Sequence, residues 1–130
     1  MYIMNRIGLN MTKLGVRFLR TTPKLKDKIY TDTHEWLLKT NNKIKIGLSN
    51  SAIENMNELI YLEYPCSIDE VVSKDDEIVI LESVKSVESI KAPFDCVITD
   101  HNTILESDLE SINEDPENDS LNWIIEIKEI

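Results

Sequence analysis

Along the chain, short apolar runs alternate with polar stretches at a spacing that favours strands over helices. Trp36-Leu37-Leu38 and Lys43-Ile44-Lys45-Ile46-Gly47-Leu48 predict two strands, the second with alternating polar and apolar positions. Asn41-Asn42 between them is a turn signal. In Ser49-Asn50-Ser51-Ala52-Ile53-Glu54 the spacing of Ser51 and Glu54 is that of a capping box. It predicts one short helix with Ala52, Ile53 and Met56 on its buried side. Leu59 to Tyr64 is strand-like again and Pro65 closes it. Asp69 to Glu77 reads as a polar, solvated connection. The β-branched and aliphatic run Ile78-Val79-Ile80-Leu81 then leads into Glu82-Ser83-Val84-Lys85-Ser86, after which Val87 and Ile90 resume an apolar pattern that Pro93 stops. Two β-rich runs around a small polar centre predict a hairpin with Lys85 at or beside its turn. Val97-Ile98 predict a further short strand, Leu105 to Asn118 an acidic loop with one helical turn, and Leu121 to Ile127 the last strand.

Many short strands with one small helix make the expected fold mainly β, a sandwich or barrel. The chain has 130 residues, 42% of them apolar, which suits one domain with a single core. No segment approaches the length of a membrane-spanning helix.

Charge is distributed unevenly. Residues 1–22 contain Arg6, Lys13, Arg17 and Arg20 and no acid, with Ile7, Met11, Leu14 and Phe18 on one helical stripe. That is the composition of a mitochondrial targeting peptide, so residues 1–22 are expected to be a presequence and residues 28–130 the domain, working in the mitochondrial matrix. An ordinary N-terminal helix packed on the domain is the alternative. From Lys24 onward there are 10 basic and 24 acidic residues, a net charge of −14. A domain this acidic is poorly suited to nucleic acid or to an anionic membrane and associates fastest with basic protein surfaces.

Candidate chemistry is sparse. Gly47 is the only glycine after residue 15, so no phosphate-cradling loop exists. Cys66 and Cys96 lack metal-ligand spacing and read as structural thiols or, less simply, as a disulfide. His34-Glu35 is the one adjacent acid/base pair. A lysine held out on a rigid hairpin suits covalent modification, although a plain surface lysine has the same sequence. The residues therefore point to a carrier or binding module and not to an enzyme.

Thr33-His34-Glu35-Trp36, Gly47-Leu48-Ser49, Leu62-Glu63-Tyr64-Pro65, Glu82-Ser83-Val84-Lys85-Ser86, Ala92-Pro93, Ile112-Asn113-Glu114-Asp115-Pro116 and Trp123-Ile124-Ile125 resemble, in order and at matching spacing, the H-proteins of the glycine cleavage system. The resemblance spans Tyr30 to Lys128. It implies a flattened β-sandwich of the lipoyl/biotinyl type, a barrel-sandwich hybrid, with one short helix near Ser51-Met56. It implies lipoate in amide linkage on Lys85, with Glu82, Ser83, Val84 and Ser86 offering the hairpin to a lipoyl-attaching enzyme. The implied partners are a pyridoxal-phosphate glycine decarboxylase, a tetrahydrofolate-dependent aminomethyltransferase and a flavin-dependent dihydrolipoyl dehydrogenase. In such proteins the loaded arm folds into a surface cleft, for which Thr33, His34, Glu35 and Ser89 are the candidate lining residues here, with Glu35 against the protonated amine.

The sequence also departs from the family pattern. Ser89 stands where an acid often faces the cleft, and Cys96 and Asn122 replace glycines at turns. Family members usually continue into a C-terminal helix past the last strand, whereas this sequence ends at Ile130, so weaker protection of a loaded arm is expected. A lipoyl relay serving other lipoate-dependent complexes, or a sandwich without lipoate, are the alternative functions. Biotin acceptors usually flank their lysine with Met, and Val84 and Ser86 are not Met.

Overall fold

Nine strands dominate residues 28–130, the part of the chain that the computed structural model describes. The expected targeting peptide at residues 1–22 lies outside the described residues. In chain order the elements are β1 (Lys28–Tyr30), β2 (Glu35–Thr40), β3 (Lys43–Leu48), α1 (Asn50–Met56), β4 (Leu59–Glu63) and β5 (Val71–Val72). They continue as β6 (Glu77–Ser83), β7 (Val87–Lys91), β8 (Cys96–His101), a 3-10 turn (Thr103–Glu106), α2 (Glu110–Glu114) and β9 (Ile125–Glu129). A six-stranded sheet runs β1-β2-β3-β9-β8-β5 and a three-stranded sheet runs β4-β6-β7, with every pairing antiparallel. This is the flattened sandwich that the sequence implies.

The two sheets share one core. Ile46 and Leu48 of β3, Ile98 of β8 and Ile125 and Ile127 of β9 meet Leu62 of β4, Ile78, Val79 and Leu81 of β6 and Ile90 of β7. Each fully buried side chain of this size contributes roughly 1.5–3 kcal/mol. Ala52, Ile53 and Met56 bury one side of α1 against the same cluster, as their spacing predicts.

Trp36 fixes the corner from which β2 departs. It is fully buried, pairs directly with Gly47 of β3, and its indole Nε1 donates to Pro116 O at 3.1 Å. A Cβ at Gly47 would lie 2.7 Å from Trp36 Nε1, so only glycine lets the ring lie over β3. The β2–β3 turn rests on Asn41 at φ 56, a conformation that asparagine tolerates.

In three places the structure departs from the pattern of the sequence. The helix is capped by Ser49, whose Oγ accepts the Ala52 N–H, so Ser51 lies inside the helix and the Ser51/Glu54 capping box does not form. The one helical turn expected in the acidic loop is α2, where Asn113 ties the turn to Leu59 and Leu109. The polar connection before the hairpin contains β5, which pairs with β8 even though only Val72 of its two residues is buried. The last strand begins at Ile125 and not at Leu121. Asn102 Nδ2 donates to the carbonyls of Leu121 and Trp123, and Asn122 Nδ2 to those of Ser111 and Asp115. Side-chain amides thus hold this stretch in place of a strand ladder.

Candidate functional site

The β6–β7 hairpin reaches Lys85 through a turn that contains no glycine. Two-residue hairpins ordinarily close through residues with positive φ, and none of residues 83–87 has one. A side chain does the closing. Ser83 Oγ accepts the N–H of Lys85 at 3.2 Å and of Ser86 at 3.1 Å and donates to Ser86 O at 3.1 Å, while Ser83 N–H also donates to Ser86 O at 2.9 Å. The Val84 N–H then donates to Glu58 O at 3.1 Å, fixing the turn to the segment ahead of β4. Short hydroxyl side chains satisfy turn amides in this way.

Held like this, Lys85 is exposed and has no ion-pair partner among the described residues. Its neighbours in the motif face different ways. Val84 is exposed and Glu82 half-buried, whereas Ser83 is buried and turned into the turn it closes. Ser86 is exposed and donates its hydroxyl to Glu88 Oε2 at 3.0 Å.

A cleft of about 350 Å³ opens between β2–β3 and the far end of β7. Leu37, Ile46 and Ile90 form its apolar wall, and Thr31, Thr33 and Glu35 its polar end. Glu35 is buried in the strand that Trp36 anchors. Its Oε1 accepts from Thr31 Oγ1 and from Thr33 Oγ1, both at 2.7 Å, and Oε2 accepts nothing among the described residues. Lys74 and Lys91 stand at the rim. Asp75 N–H donates to Ala92 O and Ala92 N–H to Asp76 O, fixing that rim.

The structure thus brings Thr33 and Glu35 together on one cleft and leaves His34 and Ser89 outside it. His34 adopts φ 70 and its ring lies by Ser51, with Nδ1 3.5 Å from Oγ. Ser89 donates to Glu77 Oε2 at 3.2 Å, on the strand pair away from the cleft lining. Thr31, which shares Glu35 with Thr33, escaped the sequence reading. Its only signal is its place two residues before Thr33, and a Thr-x-Thr spacing has no meaning until the turn folds it back on Glu35. Cys66 and Cys96 are free and buried, and burial, ahead of nearby carboxylates, raises both thiols, that of Cys96 to about 11, which disfavours the reactive thiolate.

A flattened two-sheet sandwich with an exposed lysine on a braced hairpin has the architecture of a carrier domain. The glycine cleavage H-protein family matches residues 28–129. The glycine cleavage system H protein of Thermus thermophilus is 34% identical over 103 residues, 79% of this chain and 78% of that one. That of Listeria monocytogenes is 31% identical over 105 residues, 81% and 82% of the two chains. The crystal structure of the H protein from Mycobacterium marinum has a TM-score of 0.70 at 25% identity, covering 80% of this chain and 84% of that one. The chain belongs to the glycine cleavage H-protein family. Proteins of this family carry covalently attached lipoate and serve glycine cleavage as carriers, not as enzymes.

Proposed function

We propose that Lys85 is the lipoyl attachment point. From there the protein moves the aminomethyl group of glycine from a pyridoxal-phosphate glycine decarboxylase to a tetrahydrofolate-dependent aminomethyltransferase. A flavin-dependent dihydrolipoyl dehydrogenase returns the carrier to its oxidised form, and a lipoyl-attaching enzyme prepares it. The observation that carries this reading is the turn itself, where three hydrogen bonds through Ser83 Oγ hold up a lysine that has no ion-pair partner among the described residues.

When bound, lipoate supplies a dithiolane that opens and closes by thiol–disulfide chemistry. The chain's own residues do the rest. Lys85 loses its ammonium charge on amide formation and becomes the stem of a mobile arm on a fixed base. The cleft begins at Ile90, five residues after Lys85, at most about 17 Å away by the rise of a strand. A bare lysine side chain spans only about 6 Å, so what the cleft receives must be carried on a longer arm. Its apolar wall of Leu37, Ile46 and Ile90 suits an alkyl chain, and Glu35 Oε2 is the acceptor that would meet a cationic end. Thr31 and Thr33 hold the carboxylate in place by occupying Oε1.

The site of action is the mitochondrial matrix, on the basis of the acid-free, Arg-bearing opening at residues 1–22. Residues 1–22 fused to a fluorescent protein should direct it to mitochondria, and a diffuse signal would remove this part of the reading. Intact mass of the protein from its native source tests the attachment. The wild-type chain is expected to carry one lipoyl group and Lys85→Arg none. Lipoate retained by Lys85→Arg would place it elsewhere.

A further inference from the structure

A second groove, larger than the cleft, meets the Lys85 turn at Glu58. It is open, about 660 Å³, with Leu59, Ile60 and Leu109 along its floor and Glu58, Glu110 and Glu114 on its walls. Among the described residues no basic side chain lines it. A smaller hollow with Ile53 and Glu54 continues from it through Asn113 and Glu114, adding a fourth carboxylate and again no base. The walls are braced, since Asn113 Oδ1 accepts the Leu59 N–H at 2.9 Å while its Nδ2 donates to Leu59 O and Leu109 O. At the near end Glu58 O takes the Val84 N–H, so groove and turn are continuous. Apolar surface collects at that end, where Ile60 is 53% and Val84 52% exposed.

Among the described residues none of Glu54, Glu58, Glu110 and Glu114 is in an ion pair, and none of these carboxylates accepts a hydrogen bond. Like charges lining a rigid, partly apolar trough raise the local concentration of a cationic partner and set its orientation.

We propose that this groove docks a basic, amphipathic segment of the enzyme that acylates Lys85, with Lys or Arg side chains against the carboxylates and an apolar side chain on Ile60 and Leu109. The inference rests on the reading of Lys85 as the attachment point. An enzyme that works on the far end of the arm is free to dock an arm's length from the turn, whereas one that acts on Nζ must grip surface that touches it. In that step Nζ attacks the acyl carbon of an activated lipoyl group, an acyl adenylate made from lipoate and ATP. The C–N bond forms, the C–O bond to the phosphate breaks, AMP leaves and the nitrogen gives up a proton.

The test uses the full chain carrying Glu58→Lys, Glu110→Lys and Glu114→Lys, with a lipoate ligase, lipoate and ATP, followed by the gain in mass. The KM for the carrier should rise at least tenfold with kcat within twofold. The wild-type KM should climb with added salt while the variant's stays flat. The urea midpoint of the variant should match the wild type. Once lipoylated chemically or at high enzyme concentration, the variant should be reduced by dihydrolipoyl dehydrogenase and NADH within twofold of the wild-type rate. An unchanged KM for acylation overturns the groove proposal, and so does an equal loss in the ligase and dehydrogenase reactions, which would mark a general charge effect. If instead Lys85→Arg is still acylated, it is the attachment reading that fails.

Discussion

The two serines that flank Val84-Lys85 look equivalent in the sequence, yet the structure gives them opposite roles, and replacing each in turn tests the account of the turn. Ser83→Ala removes the acceptor of the Lys85 and Ser86 amides and the donor to Ser86 O. A net hydrogen bond contributes about 0.5–1.5 kcal/mol, so three amount to about 1.5–4.5 kcal/mol. Lys85 and Ser86 are exposed, and water takes over part of the lost bonding. The expected cost is therefore about 1–2 kcal/mol, which moves the urea midpoint down by about 1 M for a domain of this size. Ser86→Ala removes only an exposed hydroxyl bonded to Glu88, and its effect should lie within about 0.5 kcal/mol of zero. Amide hydrogen exchange localises the change: at Lys85 and Ser86 it should accelerate about tenfold in Ser83→Ala, the factor that 1.4 kcal/mol represents, and stay put in Ser86→Ala. Lipoylation of Ser83→Ala should slow by about fivefold, because the lysine is no longer pre-positioned. Equal exchange rates at residue 85 in the two variants would refute the idea that Ser83 closes the turn.

Three further outcomes are expected. Gly47→Ala drives a Cβ into the Trp36 indole, an overpacking cost of about 1–3 kcal/mol or more, visible as a lower melting temperature and altered tryptophan fluorescence. Glu35→Gln should fold and accept lipoate normally but lose its aminomethyl load faster, since Oε2 no longer offers a full negative charge; an unchanged load lifetime would reject that role. Glu117 tests pH linkage. Burial pushes its carboxyl up, but the hydrogen bonds from Tyr30 Oη and the Asn50 N–H, together with the Lys28 ammonium, outweigh burial and hold it below the usual 4.5. A folded-state value lowered in this way stabilises the protein above the unfolded-state value and ceases to as pH falls through the folded one. Wild type should therefore exceed Glu117→Gln in stability at pH 7, with the gap closing as the pH drops below 4.5, and a gap that persists at low pH would show that the charge is not what Glu117 contributes.

Much of this protein is written locally. The hairpin around Lys85, the β2–β3 pair and the buried side of α1 follow from the period of apolar residues, because strand and helix each place side chains on a face at a fixed spacing. The resemblance to the family then singles out Lys85 as the proposed attachment point. The sequence is silent on which neighbours a polar side chain meets once distant segments come together. Ser49 displaces Ser51 as the helix cap because the end of β3 delivers it there, and His34 turns away from Glu35 because its backbone takes φ 70. Asn102 claims the carbonyls of Leu121 and Trp123, 19 and 21 residues away, within a stretch whose apolar pattern reads as a strand. The cleft and the acidic groove are likewise assembled from segments far apart in the chain. Spacing along one strand determines which face a residue takes, but only the packing of the two sheets decides what stands opposite that face.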